Sequence, residues 1–227
     1  MTMSARFVRI PPLQLGAELR IPDKPRGLVI FAHGSGSSRF SPRNQSVAQA
    51  LVASGFSTLL LDLLTEDEAQ HRANVFDIDR LGARLVDAID WAGSQPELAD
   101  LPIGLFGAST GAAAALQAAA LRPRRVRTVI SRGGRPDLAH DRLAEVEAPV
   151  LLIVGSQDEP VLTWNREALM ELNAASRLEV VDGATHLFEE PGALYEVVRL
   201  AIDWCQDTLA SPARPGRQQP GAQSAAS

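Results

Sequence analysis

The sequence predicts an α/β fold: a doubly wound, mostly parallel sheet in a single domain without a cap. Three observations carry this. Short apolar runs recur along the chain and alternate with longer segments of helical periodicity. The later runs are apolar at almost every position, as in parallel strands covered on both faces. The chain has 227 residues, 45% apolar and 22% charged, which suits one soluble domain with a core large enough to stand without disulfides or metals.

Taken in order, Phe7-Val8-Arg9-Ile10 and Leu13 to Pro22 alternate apolar with polar residues, as antiparallel strands with one solvated face do. They are expected to form the first hairpin. Gly27 to Ala32 reads as a central strand, followed by a helix over 44–53 and a strand over 56–63. A long helix is expected from Asp77 to Ala92, with Ile78, Leu81, Leu85 and Ile89 at helical spacing on one face. The run Leu101 to Phe106 leads into Gly107-Ala108-Ser109-Thr110-Gly111 and an alanine-rich helix ending at Leu121. Further strands follow at Val126 to Ile130, Ala148 to Gly155 and Arg177 to Val181, and the last helix spans 191–209. The Val126 strand ends in Ser131 to Pro136, after which only Asp137 to Glu147 separates it from the strand at Ala148, too short a stretch for a cap domain. Residues 1–210 are therefore assigned to one domain. Residues 211–227 are rich in Pro, Gly and Gln without apolar periodicity, and are expected to be a disordered tail.

The chemistry starts at Ser109. A serine on a tight strand-to-helix turn is pushed out as a nucleophile, and the glycines on either side permit the turn. A serine hydroxyl needs a base, and the base needs a third group to orient it. Asp158 lies just past the strand that ends at Gly155, and His186 follows the strand that ends at Val181, in Asp182-Gly183-Ala184-Thr185-His186. Each therefore sits at the carboxyl end of a strand, where sites form in such sheets. Upstream, His33-Gly34-Ser35-Gly36 follows the central strand and is placed to aim backbone N–H groups at a developing oxyanion. Ser35 is assigned as one donor and Thr110 as the other, with Gly34 or Gly36 as alternatives to Ser35.

These four motifs resemble the α/β-hydrolase superfamily, and within it the small, lidless dienelactone-hydrolase-like branch. The resemblance covers nearly the whole chain to about Leu209. It implies a Ser109–Asp158–His186 triad in the chain order of that superfamily. Dienelactone hydrolases proper carry cysteine as nucleophile and a different oxyanion loop, whereas this chain has Ser109 and a His-Gly loop. The expected activity is thus hydrolysis of small carboxylic esters through an acyl-enzyme. Lactone hydrolysis, thioester hydrolysis and acyl transfer use the same parts, and a non-catalytic binding protein is the rival from another class.

Other residues bound the reading. His33 precedes the nucleophile and is expected to orient the oxyanion loop, while His71 and His140 lie in polar surroundings. The His33 loop lacks the Gly-Lys-Ser/Thr of a phosphate loop, and no His-x-x-x-His or paired-cysteine spacing indicates a metal, so no cofactor is implied. Arg132 directly follows a strand whose end should face the pocket, where a guanidinium could pair with a substrate carboxylate. The formal charge of -5 disfavours nucleic-acid binding. The N-terminus lacks a signal-peptide run, no segment reaches membrane-spanning length, and Cys205 is the only cysteine. A cytoplasmic monomer or homodimer acting on a small-molecule ester is expected, with Cys205 a buried structural thiol.

Overall fold

The computed structural model describes residues 5–209; the expected tail, 211–227, lies outside them. Eight strands form one sheet: β1 (Arg6–Ile10), β2 (Leu15–Arg20), β3 (Leu28–Ala32), β4 (Ser57–Leu61), β5 (Ile103–Ala108), β6 (Val126–Arg132), β7 (Val150–Gly155) and β8 (Arg177–Val181). Their order is β1-β2-β4-β3-β5-β6-β7-β8. β1 pairs with β2, and β2 with β4, antiparallel; every other pairing is parallel. The chain thus winds outward in both directions from the centre of the sheet, and β3, β5, β7 and β8 all deliver their following loops to one edge.

Helices cover both faces. They are α1 (Pro42–Ala53), α2 (Glu66–Ala69), α3 (Arg72–Val75), α4 (Ile78–Ser94), α5 (Thr110–Leu121), α6 (His140–Leu143), α7 (Glu159–Glu171) and α8 (Ala193–Thr208). Leu81, Leu85 and Ile89 of α4 pack with Ala113 and Leu116 of α5 against Ile30 and Leu105. On the other face, Val47 and Leu51 of α1 join Val197, Leu200 and Ala201 of α8 over Val29, Phe31, Phe106 and Ile130. The expected amphipathic stripe of α4 is the stripe that is buried. α5 buries nearly all its sides, because alanine is both the best helix former and small enough to let a helix lie close to the sheet.

Helix starts follow local chemistry. Ser41 accepts the Asn44 N–H, with Pro42 in the first turn of α1, and Asp77 accepts the Arg80 N–H to begin α4. Thr65 and Glu68 cap α2 reciprocally. The sequence gives no sign of α2, α3, α6 or α7. The first three have four residues each, too few for periodicity to register. α7 buries only Val161, Leu162, Asn165 and Ala168, a sparse stripe. Between β6 and β7 there is one short 3₁₀ turn, Pro136–Ala139, and the single turn of α6, so no cap domain is inserted there. Cys205 is buried, and desolvation pushes its thiol up to about 12, which keeps it protonated and unreactive. No helix among the described residues is long and apolar enough to cross a membrane.

Candidate active site

Ser109 stands between β5 and α5 with φ 52° and ψ -123°. A non-glycine residue in this region carries roughly 1–3 kcal/mol of strain, so its surroundings must fix it. They do so through the backbone: the Ser109 N–H donates to the Arg132 carbonyl at 3.2 Å, and its own carbonyl accepts from Ala112 at 3.0 Å and Arg135 at 3.1 Å. The flanking glycines are required by close approach. A Cβ on Gly107 would lie 2.3 Å from the Ala112 Cα, and one on Gly111 would lie 2.3 Å from the Ala32 carbonyl oxygen. Without side chains at these two positions, α5 starts directly against the ends of β3 and β5.

Asp158 and His186 are brought together from residues 28 apart. Asp158 precedes the first residue of α7, yet its side chain does not cap that helix. Its Oδ2 instead accepts from His186 Nδ1 at 2.6 Å. The neighbouring Glu159 is exposed. Two backbone bonds hold the acid's loop against the histidine's: Ser156 N–H to Val181 and Gln157 N–H to Ala184, both 2.9 Å. The Asp158 side chain is 11% exposed and that of His186 37%, so the acid is sheltered while the imidazole is reachable. With Nδ1 donating to the carboxylate, Nε2 is the nitrogen left to accept a proton; the tautomer is assigned from this partner. Among the described residues Ser109 Oγ forms no hydrogen bond with His186. Such contacts are often long before substrate binds. His71, at the start of α3, is exposed and far in sequence from these loops.

His33 anchors the loop after β3. Its Nε2 accepts the Leu63 N–H at 3.2 Å, which leaves Nδ1 to donate to the Gly34 carbonyl at 3.0 Å. Desolvation lowers its pKa, opposed by the Gly34 contact and the charge of Asp62. A depressed histidine contributes stability that is complete above its unfolded value of about 6.5 and is lost as pH falls through the folded one. The melting temperature should therefore decline on acidification below about pH 6.5. His33→Gln should melt lower at neutral pH but show a flatter decline; parallel pH profiles for the two proteins would contradict this.

The N–H of Ser35, expected as an oxyanion donor, donates here to Thr110 Oγ1 at 2.9 Å, so a bound oxyanion would compete with that hydroxyl for it. Thr110 is 2% exposed, and its hydroxyl is the acceptor that this amide meets. A contact spanning 75 residues has no local signal in the sequence. Gly34 lies against the nucleophile: a Cβ there would lie 3.0 Å from Ser109 Cβ. The N–H of Thr110 is in the first turn of α5 and has no intrahelical partner.

A pocket of about 500 Å³ opens beside Gly34, Ser35 and Thr110, walled by Leu64, Ala69, Val75 and Leu81. Ala69 of α2 and Val75 of α3 thus join Leu64 and Leu81 of α4 in an apolar wall that sequence reasoning missed. It missed Asn165 as well. This fully buried residue of α7 donates to the Gly134 carbonyl at 2.9 Å and to Val161 at 2.7 Å, fixing the loop whose Arg135 N–H holds Ser109. One polar residue among several in a helix gives no hint of such a task. Arg132 lies at the site through its backbone, but its side chain is buried. Arg39 pairs with Asp62, and Arg135 with Asp137 at 2.7 Å.

A family model described as the dienelactone hydrolase family matches residues 15–205. Two proteins of Mycobacterium tuberculosis, from strains CDC 1551 and H37Rv, are each 56% identical over 205 residues, 90% of this chain. Both carry the provisional name phosphoribosyl transferase, and this chain spans only 46% of their length. Among solved structures, a dienelactone hydrolase from Anabaena variabilis is 50% identical with a TM-score of 0.87, covering 92% of this chain and 98% of that one. Est1E from Butyrivibrio proteoclasticus, 17% identical with a TM-score of 0.77 over 91% of this chain and 99% of its own, shares the fold.

Proposed function

The chain belongs to the dienelactone hydrolase family, and from that premise we propose that it hydrolyses a small carboxylic ester through an acyl-enzyme on Ser109. The observation that carries the reading is the 2.6 Å contact of Asp158 with His186, on loops that converge at the edge where Ser109 is displayed. In this reading His186 Nε2 takes the Ser109 proton as Oγ attacks the ester carbonyl, then returns it to the departing alcohol. Water attacks the acyl-enzyme by the same route in reverse order. Asp158 fixes the imidazole and supports its positive charge. The oxyanion is held by the N–H of Thr110 and by one from the loop at Gly34. The Ser35 N–H becomes a third donor only if the Thr110 hydroxyl yields it.

The provisional transferase name belongs to proteins more than twice as long as the matched stretch, and nothing in the site calls for it. Lactone hydrolysis, thioester hydrolysis and acyl transfer remain chemically open to the same residues. A panel of activated esters of graded acyl length, with a lactone and an acyl-thioester of matched size, tests the proposal. The short wall of α2 and α3 offers apolar cover for a few methylenes at most about 0.8 kcal/mol each. The expected kcat/KM is highest for esters of roughly two to six acyl carbons, and higher for those than for the thioester or lactone. No ester hydrolysis above the buffer rate would overturn it.

A further inference from the structure

Arg132 ends β6 in register with Ala108, next to the nucleophile. Side chains alternate along a strand, so Arg132 shares a face with Ile130, which packs into the layer containing Phe188, α1 and α8. Its side chain is therefore directed into that layer, to which Phe188, two residues after His186, also belongs. The residue is only 7% exposed, and its Nε and Nη1 are buried without any hydrogen-bond partner. No carboxylate among the described residues pairs with it. The charge that does reach it is another cation, Arg43, the second residue of α1. Arg43 leaves its own Nε buried and unpartnered, while its Nη1 meets the exposed Glu189 at 2.9 Å.

A buried, unpaired guanidinium is costly, and proteins ordinarily supply a counter-ion. Burial, with Arg43 adding to it, lowers Arg132 to about 10, which still leaves it charged at neutral pH. A planar guanidinium presents paired N–H edges that match two oxygens of one anion. We propose that Arg132 and Arg43 form a binding site for a small oxyanion, a carboxylate or phosphoryl group, beside the reacting centre. The anion is either borne by the substrate or free in solution; the first case rests on the ester-hydrolase reading above and the second does not.

Thermal melting of the full chain tests the site without relying on turnover. Sodium phosphate and sodium acetate are titrated separately, with ionic strength held by a bulky sulfonate salt. Wild type should rise saturably with at least one of them, by about 3 °C or more. Arg132→Met should not rise, and Arg43→Gln should rise less; Arg43→Gln serves alone should Arg132→Met fail to fold. A flat wild-type response, or an equal rise in the variants, overturns the proposal. Turnover then separates the sources. If the anion is substrate-borne, an ester with a terminal carboxylate should exceed its neutral analogue in kcat/KM by about tenfold or more, Arg132→Met should bring that ratio towards one, and phosphate should raise KM for the charged ester alone. If the anion is free, phosphate should change both esters alike. Saturable stabilisation without hydrolysis of any ester would sink the hydrolase reading and leave the site standing. Hydrolysis with a flat melting response would do the reverse.

Discussion

Ser109→Ala is expected to lower ester turnover by a factor on the order of 10⁴ or more and to remove covalent labelling by a fluorophosphonate. The substitution deletes one oxygen at a displayed position. The anchors of the turn are backbone groups, namely the Arg132 carbonyl and the Ala112 and Arg135 amides, and all of them survive it. The variant should therefore fold, and its melting temperature should stay within a few degrees of wild type. Mass spectrometry of the labelled protein places the adduct. Labelling of Ser109→Ala at the wild-type rate would mean that another group is the nucleophile.

His186→Ala and Asp158→Asn probe the other half of the site and should separate in size. Loss of the imidazole removes the only proton acceptor assigned to Ser109, so His186→Ala should fall by about as much as Ser109→Ala. Asp158→Asn keeps the shape of the side chain but loses the charge facing Nδ1. An amide can also donate to that nitrogen, which selects the wrong tautomer, and a loss on the order of 10²–10⁴ is expected. The double variant Ser109→Ala/His186→Ala should be no worse than either alone, because residues acting as one unit are not additive. His71→Ala is the control, since His71 is exposed outside the site. Single-turnover kinetics on an activated ester measures all of these. Additive losses in the double variant would show that Ser109 and His186 act separately.

Ser109, Asp158 and His186 could be singled out as candidates in the sequence because each has a local mark: a tight glycine-flanked turn, or an acid or imidazole just past an apolar run. The architecture was legible for a similar reason. A strand covered on both faces must be apolar at nearly every position, and a covering helix must carry a stripe, so β3, β5, β7 and α4 announce themselves in one dimension. Contacts between distant loops leave no such trace. That Thr110 would take the Ser35 N–H, that Asn165 would hold the loop behind Ser109, and that α2 and α3 would wall a pocket all depend on side chains meeting across the sheet edge. Arg132 shows the division most clearly. Its place at the end of β6 was determined by the sequence itself, whose alternation of apolar runs fixes which residues reach the edge. Its burial without a partner, with Arg43 close enough to be felt, was decided only by the packing of α1 and α8, because electrostatic environment depends on distances that the order of residues does not contain.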